Sequence, residues 1–213
     1  MRVWGLPMKG RGETTLYTLC RWVAVPLFGG VYRCRVRGTE KLPQDGPVIV
    51  ITNHKANVDP VVVGMLFDRP LRYMAKKELF GNATFSKLIM SLGAFPIDRG
   101  AGDRAALTTS LELLAGGDVL LMFPEGHRQP DDAVHDFLPG VGMLALRSGA
   151  AVLPMAMDGT QRMLRGGRPG LPALRALVGP PLDLSDLTRR NSKTYQEAAR
   201  RMHDSVAGLY ARL

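Results

Sequence analysis

The chain is poor in cysteine: Cys20 and Cys34 are the whole complement in 213 residues. That excludes a disulfide framework and favours a reducing, cytoplasmic setting. Neither the cysteines nor the four histidines cluster at metal-ligand spacing, so no metal site is expected. Long apolar runs are missing as well. The longest uncharged stretch, Trp22 to Tyr32, is flanked by Arg21 and Arg33 and broken by Pro26, Gly29 and Gly30, whereas a spanning helix needs about 20 apolar residues. An ordinary transmembrane helix is therefore not expected. The amino end carries Arg2, Lys9 and Arg11 but no short apolar stretch with a small-residue cleavage site, so it reads as retained. Internal repeats and low-complexity tracts are absent, which argues against a solenoid or a disordered tail.

Acidic residues are also in deficit, 19 against 28 Lys and Arg, giving a net charge of +9 and a pI near 10.0. Such an excess implies an anionic partner: nucleic acid, a negatively charged membrane surface or a phosphorylated substrate. Charge alone leaves all three open. What is present is enough apolar material, 46% of residues, to bury one substantial core, and the length favours a single domain.

Residues 13–32 carry Leu16, Leu19, Trp22, Val23, Leu27, Phe28 and Tyr32 among basic residues. This pattern suits either a helix lying in a membrane interface or a first helix packed on the core. Residues 1–34 are accordingly read as an N-terminal membrane-associating helical segment and 35–213 as the main domain. After a turn at Leu42 to Pro47, the run Val48-Ile49-Val50-Ile51-Thr52 has the character of a central strand covered on both faces. Asp59-Pro60 followed by Val61, Val62 and Val63 has the form of an N-cap, a proline at the first helical position and a helix body. Alternation continues with strands at 71–75, 94–97, 118–123 and 151–157 and helices at 85–92, 103–115 and 140–147. Residues 158–175 read as a mobile surface loop and 176–178 as an edge strand. The final helix begins at Thr194 and Glu197, which have capping-box spacing. The predicted class is α/β: a single domain with a central mostly parallel or mixed sheet flanked by helices, plus the N-terminal interface helix.

Thr52 to Pro60 places an imidazole, His54, and a carboxylate, Asp59, five positions apart in the loop between a strand and a helix. A histidine with its ordinary pKa of about 6.5 accepts a proton from an alcohol near neutral pH, and a neighbouring carboxylate fixes its tautomer. Five positions is not a same-face helical spacing, so the pair needs the loop to bring them together. Read alone, Asp59 serves equally as a helix cap and His54 as a packed loop residue. Two more stretches, Phe95-Pro96-Ile97-Asp98-Arg99 and Phe123-Pro124-Glu125-Gly126-His127-Arg128, each set an arginine just after a strand. Guanidinium forks suit phosphate oxygens, and in open α/β sheets ligands collect beyond the carboxyl ends of strands.

Asn53-His54 with Asp59, Phe95 to Arg99, Phe123 to Gly126 with Arg128, and Leu153-Pro154 resemble the four ordered motifs of the glycerolipid acyltransferases. The likeness is strongest to 1-acylglycerol-3-phosphate acyltransferases. It covers roughly residues 35 to 185, with Lys76-Lys77-Glu78-Leu79 and Gly159-Thr160 included. The resemblance implies that His54 is the general base on a glycerol hydroxyl and that Asp59 supports it. It implies that Lys76, Arg99, Glu125, Gly126 and Arg128 bind the phosphorylated acceptor. The implied reaction moves a fatty acyl group from an acyl thioester, acyl-CoA or acyl-ACP as co-substrate, to the hydroxyl of 1-acylglycerol-3-phosphate, with no cofactor, covalent acyl-enzyme or metal. Another lysophospholipid or a glycolipid is the alternative acceptor. The expected location is the cytoplasmic face of the cell membrane, peripheral or monotopic.

The chain departs from that pattern at Ala56, where serine is frequent, at His127, where threonine is usual, and at Leu138-Pro139-Gly140, which lacks the lysine often found before that glycine. These departures bear on the acceptor more than on the chemistry. Phe95, Val141, Met143 and Leu144 read as core residues or as lining of an acyl channel. The non-enzyme alternative, a basic nucleic-acid-binding module, draws on Arg162, Arg165, Arg168, Arg175, Arg189 and Arg190. No aromatic stacking motif or recognition helix accompanies them, so no nucleic acid is expected. Those arginines are read instead as facing an anionic membrane surface.

Overall fold

The apolar run Val48–Thr52 is wholly buried in a computed structural model that describes residues 14–98, 104–129, 131–165 and 167–213. It forms β2. The other strands are β1 Arg35–Arg37, β3 Leu71–Lys76, β4 Ala94–Ile97, β5 Val119–Met122, β6 Ala151–Asp158, β7 Leu164–Arg165, β8 Arg168–Pro169 and β9 Arg175–Val178. The α-helices are α1 Thr15–Pro26, α2 Asp59–Gly64, α3 Ala83–Ser91, α4 Arg104–Ala115, α5 Pro139–Ser148 and α6 Ser192–Tyr210.

Seven strands form one sheet in the order β1-β9-β6-β2-β5-β3-β4. From β6 to β4 all neighbours are parallel, whereas β9 runs antiparallel to β6 and carries β1 parallel to itself. The class is therefore α/β with a mixed sheet. Alternation along β2 explains why helices cover both faces: Val48 and Val50 join one core with α1 and α2, while Ile49 and Ile51 join the other with α5 and α6. The chain leaves β2 through α2 toward β3, and later crosses from β5 to β6 through α5 on the opposite face. The carboxyl end of β2 thus opens at a switch in winding, the place where α/β sheets leave a crevice.

Packing between α5 and α6 requires a glycine. A Cβ on Gly142 would lie 2.1 Å from the Tyr195 carbonyl oxygen, so the two helices touch backbone to backbone there. The amino end of α6 is capped by Asn191, whose side chain accepts from Thr194 N at 3.0 Å. The expected capping box does not form, because Glu197 is held by Arg200 and Arg201 instead. Position 176–178, expected at an edge, lies one strand in, since β1 pairs outside it. The start expected for α4 at Asp103 lies outside the described residues.

In α1, Tyr17, Arg21, Ala24 and Val25 are buried, and Leu19, Trp22 and Val23 are exposed. The helix runs on into a wider π turn over Leu27–Val31 that buries Phe28. One face is thus core packing and the other an apolar surface. Among the described residues no helix is long and apolar enough to cross a membrane.

The segment read as a loop at 158–175 holds the end of β6, a short turn and the β7–β8 ribbon. Its anchor is Asp158, 5% exposed, which accepts from Arg162 at 2.6 Å, Arg175 at 2.8 Å and Gln161 at 2.9 Å. Arg162 and Arg175, expected to face lipid headgroups, each give a guanidinium nitrogen to this carboxylate while their side chains stay 40% and 47% exposed. Burial alone would raise the Asp158 carboxyl; the hydrogen bonds from Gln161, Arg175 and Arg162 outweigh it and hold it down at about 2. A depressed carboxyl stabilises the fold above its ordinary value, about 4, and that contribution is lost as pH falls toward 2. Asp158→Asn should cost about 3 kcal/mol at neutral pH and lose less further stability than the parent between pH 5 and 2. Parallel acid limbs in thermal unfolding followed by circular dichroism would contradict this role.

Candidate active site

The site is built where β2 ends. Asn53 is fully buried and pairs twice with the β6 backbone, donating to Met157 O at 2.8 Å and accepting from Met157 N at 2.9 Å. This fixes the point from which the next residue projects. His54 is then held at both backbone groups: its N–H donates to Glu125 Oε2 at 2.8 Å and its carbonyl accepts from Gln129 N at 2.7 Å. Its ring stacks on Phe123 with centroids 3.9 Å apart and 20° between planes. The predicted pairing is present, with His54 Nδ1 2.8 Å from Asp59 Oδ2.

Asp59 is fully buried. The same Oδ2 also accepts from Lys55 N at 2.7 Å and Ala56 N at 2.8 Å, so the carboxylate folds the loop back onto itself. The structure also separates the two readings of Asp59. The helix starts at Asp59 with Val58 as its N-cap, and Val61 N and Val62 N bond to the Val58 carbonyl. Asp59 therefore organises the preceding loop and does not cap α2. Because a carboxylate only accepts, Nδ1 of His54 carries the hydrogen in this contact and Nε2 is left as the basic nitrogen. Oδ1 of Asp59 is buried with no hydrogen-bond donor among the described residues. A charge on the imidazole would thus face a carboxylate that is only partly compensated.

Glu125 follows β5, the strand next to β2. It is 4% exposed, and its two oxygens take two backbone amides, His54 N at 2.8 Å and His135 N at 3.0 Å. Gly126, with φ of +78°, makes the turn after it, and a Cβ there would meet Leu138 Cδ1 at 2.9 Å. Arg128 and His127 are exposed beyond this turn. His127 Nε2 lies 2.8 Å from Gln129 Nε2, which donates to it. Arg128 makes no hydrogen bond or ion pair within the described residues. Lys76, at the end of β3, is exposed in the strand adjacent to β5. Arg99 lies outside the described residues. The strand ends thus gather His54, Asp59, Glu125, Gly126 and Arg128 at one edge, with Lys76 one strand further on.

Sequence reasoning missed Lys55, which is 2% exposed although it sits in a loop. Its neighbours in the chain, His54 and Asp59, were the only hint. Of the residues weighed as channel lining, Val141 and Leu144 are buried against α6 in the core. An apolar recess lies instead between α1, α2 and β3, walled by Tyr17, Cys20, Ala24, Pro60, Val61, Gly64 and Tyr73. Among the described residues no group of three or more His, Cys, Asp and Glu side chains is placed to hold a metal ion.

Residues 33–158 match the model of a protein family described as acyltransferase. The chain is similar to the 1-acyl-sn-glycerol-3-phosphate acyltransferase of Bacillus subtilis, 29% identical over 175 residues that make up 80% of this chain and 83% of that one. It is equally similar, 29% over 195 residues, to the enzyme of the same name from Streptococcus pneumoniae, covering 90% of this chain and 72% of that one. Its fold resembles the crystal structure of the 1-acyl-sn-glycerophosphate (LPA) acyltransferase PlsC from Thermotoga maritima. The TM-score is 0.73 at 25% identity, over 92% of this chain and 80% of that one.

The Glu125 carboxylate generates a test of its own. Glu125→Gln keeps the shape but points an NH₂ group at one of two backbone N–H donors, leaving that amide without an acceptor. We expect a loss of roughly 2 kcal/mol, read as a lowered urea midpoint with unchanged slope; an unaltered midpoint would show that the carboxylate does not hold the two loops.

Proposed function

The chain belongs to the acyltransferase family and is an acyltransferase of phospholipid synthesis, and from that premise we propose that it acylates the free hydroxyl of 1-acylglycerol-3-phosphate to give phosphatidic acid. The observation that carries this reading is the contact between the partly exposed His54 and the buried Asp59, 2.8 Å apart, at the carboxyl end of the central strand. The acceptor O–H gives its proton to His54 Nε2 as its oxygen bonds to the thioester carbonyl carbon. The tetrahedral oxyanion collapses, the C–S bond breaks, and the departing thiolate is reprotonated by the imidazolium. Asp59 steadies that imidazolium through Nδ1–H. General base assistance contributes typically about 10²- to 10⁴-fold, so juxtaposition of the two substrates supplies much of the rest.

Arg128, Arg99 and Lys76 are the cations we assign to the acceptor phosphate, with Gly126 giving the turn that presents Arg128. Glu125 serves binding indirectly, by fixing the His54 backbone. The donor is an acyl thioester, carried by coenzyme A or acyl carrier protein. The apolar recess walled by Pro60, next to Asp59, is the place we assign to an acyl chain. The exposed apolar face of α1, with Leu19, Trp22 and Val23, supports peripheral docking on an anionic membrane surface, at the cytoplasmic face.

Purified protein supplied with lysophosphatidate and either thioester should form phosphatidic acid detectable by mass spectrometry. His54→Ala and Asp59→Asn should each lower kcat by about 10³-fold or more with the fold intact; near-normal turnover by His54→Ala would sink the mechanism. Arg128→Ala should raise the acceptor KM by about tenfold or more while leaving the donor KM alone. Cys20→Trp, which fills the recess, should shift product chains toward shorter lengths, and an unchanged chain distribution would remove the acyl chain from that place.

A further inference from the structure

Lys55 stands between the two members of the His54–Asp59 pair, and its side chain has no solvent exposure. Lysine is almost never buried to this extent without partners. Here Nζ donates to the carbonyl of Asp131 at 2.8 Å and to that of Ala133, and lies 3.6 Å from Asp131 Oδ1. The Tyr210 ring of α6 covers it, with its centroid 5.0 Å away. Two of the ammonium's three donors are thereby spent on carbonyls of one short stretch of chain, and its charge faces the Asp131 carboxylate. At the other end of the same residue, the Lys55 backbone N–H donates to Asp59 Oδ2.

These contacts close a ring. His54 N donates to one oxygen of Glu125, and the other oxygen accepts from His135 N. Asp131 and His135 are joined by a 2.7 Å contact between carboxylate and imidazole, and Asp131 and Ala133 return to Lys55, the chain neighbour of His54. Gly126, His127 and Arg128 lie on the arc between Glu125 and the Gln129 amide that bonds the His54 carbonyl. The backbone that presents Arg128 is thus tied at both ends to the backbone that presents His54, and Lys55 ties the next stretch, residues 131–135, to the same loop.

We propose that Lys55 is a positioning residue for acyl transfer: its buried ammonium clamps residues 131–135 against the His54 loop and so sets the distance between the general base and the cation that receives the acceptor phosphate. The proposal rests on the acyl-transfer reading above for its kinetic consequence, but not for its structural one.

The test uses Lys55→Met in the full chain, an apolar side chain of similar length. Amide exchange is expected to accelerate by at least about tenfold at Gln129 and His135, the loss of one charged anchor, with the β2 and β5 amides unchanged. In the acyl-transfer assay the acceptor KM should rise by at least about tenfold while the donor KM stays within about twofold. A general weakening of the fold would move both KM values or neither and would speed exchange in the core strands. If Lys55→Met does not fold, Tyr210→Leu, which strips the ring from the ammonium and keeps an apolar side chain, should move the same readouts in the same direction. Unchanged exchange at Gln129 and His135 in the folded variant overturns the clamp. Altered exchange with an unshifted acceptor KM overturns its part in positioning. Absence of transfer to lysophosphatidate by the unaltered chain would count against the acceptor reading alone, and the exchange measurement would still decide whether the clamp exists.

Discussion

One carboxylate oxygen, Asp59 Oδ2, holds the site together by accepting three hydrogen bonds where no water reaches it, from the His54 ring and from the amides of Lys55 and Ala56. A buried carboxylate is costly to leave without partners, so the loop is driven to fold back and supply donors. That one requirement sets the loop shape and the tautomer of the imidazole. It also explains the spacing: with the ring and the carboxylate five positions apart, two intervening amides can turn inward to the same oxygen, which a regular helix would not allow. The orienting group and the fold of the loop are a single feature.

The second buried carboxylate, Glu125, works on the same principle from the neighbouring strand. It spends its oxygens on backbone amides of His54 and His135, so its charge serves to fix main chain at the crevice. Around His54 the supports are then a carboxylate on the ring, a carboxylate on the backbone N–H, an amide on the carbonyl and an aromatic face at 3.9 Å. A group supported in this way pays little reorganisation when it takes up a proton, which is the condition under which electrostatic and general-base catalysis are effective.

Much of this was legible in the sequence because it depends on periodicity and on motif order. Val48 to Thr52 reads as a doubly covered strand since all five residues are apolar or β-branched, and Asp59-Pro60 reads as a helix start since proline tolerates that position. Residue type and spacing left the His54–Asp59 pair open beside a helix cap and a packed histidine, and it was the order of the motifs, through their resemblance to the acyltransferases, that favoured the contact that forms. What the sequence did not disclose depends on which partner a polar group finds across the fold. Glu125 was expected to bind the acceptor, and nothing in the sequence points to the two backbone amides its oxygens accept from. Lys55 drew no reading at all, because burial of an ammonium depends on carbonyls 76 and 78 positions away. Thr194 and Glu197 have the spacing of a capping box, but Asn191 is better placed for the cap and the arginines of α6 claim the glutamate. The strand β1 escaped notice because three residues give periodicity too little length.

The basic surplus takes on a different meaning once these partners are known. A net charge of +9 invites the thought of a broad cationic surface, yet several of its contributors already have partners within the chain. Lys55 is enclosed by carbonyls, Arg69 bonds the carbonyls of Gly46 and Gly117, and Arg162 and Arg175 share Asp158. Cations so placed lose most of their reach toward an external anion, since their field is cancelled locally or spent on backbone dipoles. Arg128, after β5, and Lys76, at the end of β3 two strands from β2, are by contrast exposed. What remains outside is a set of uncommitted cations, Arg128 and Lys76 at the strand ends and Lys87, Arg189 and Arg190 elsewhere on the surface, so the place of a cation, and not the net charge, decides which anion it can meet.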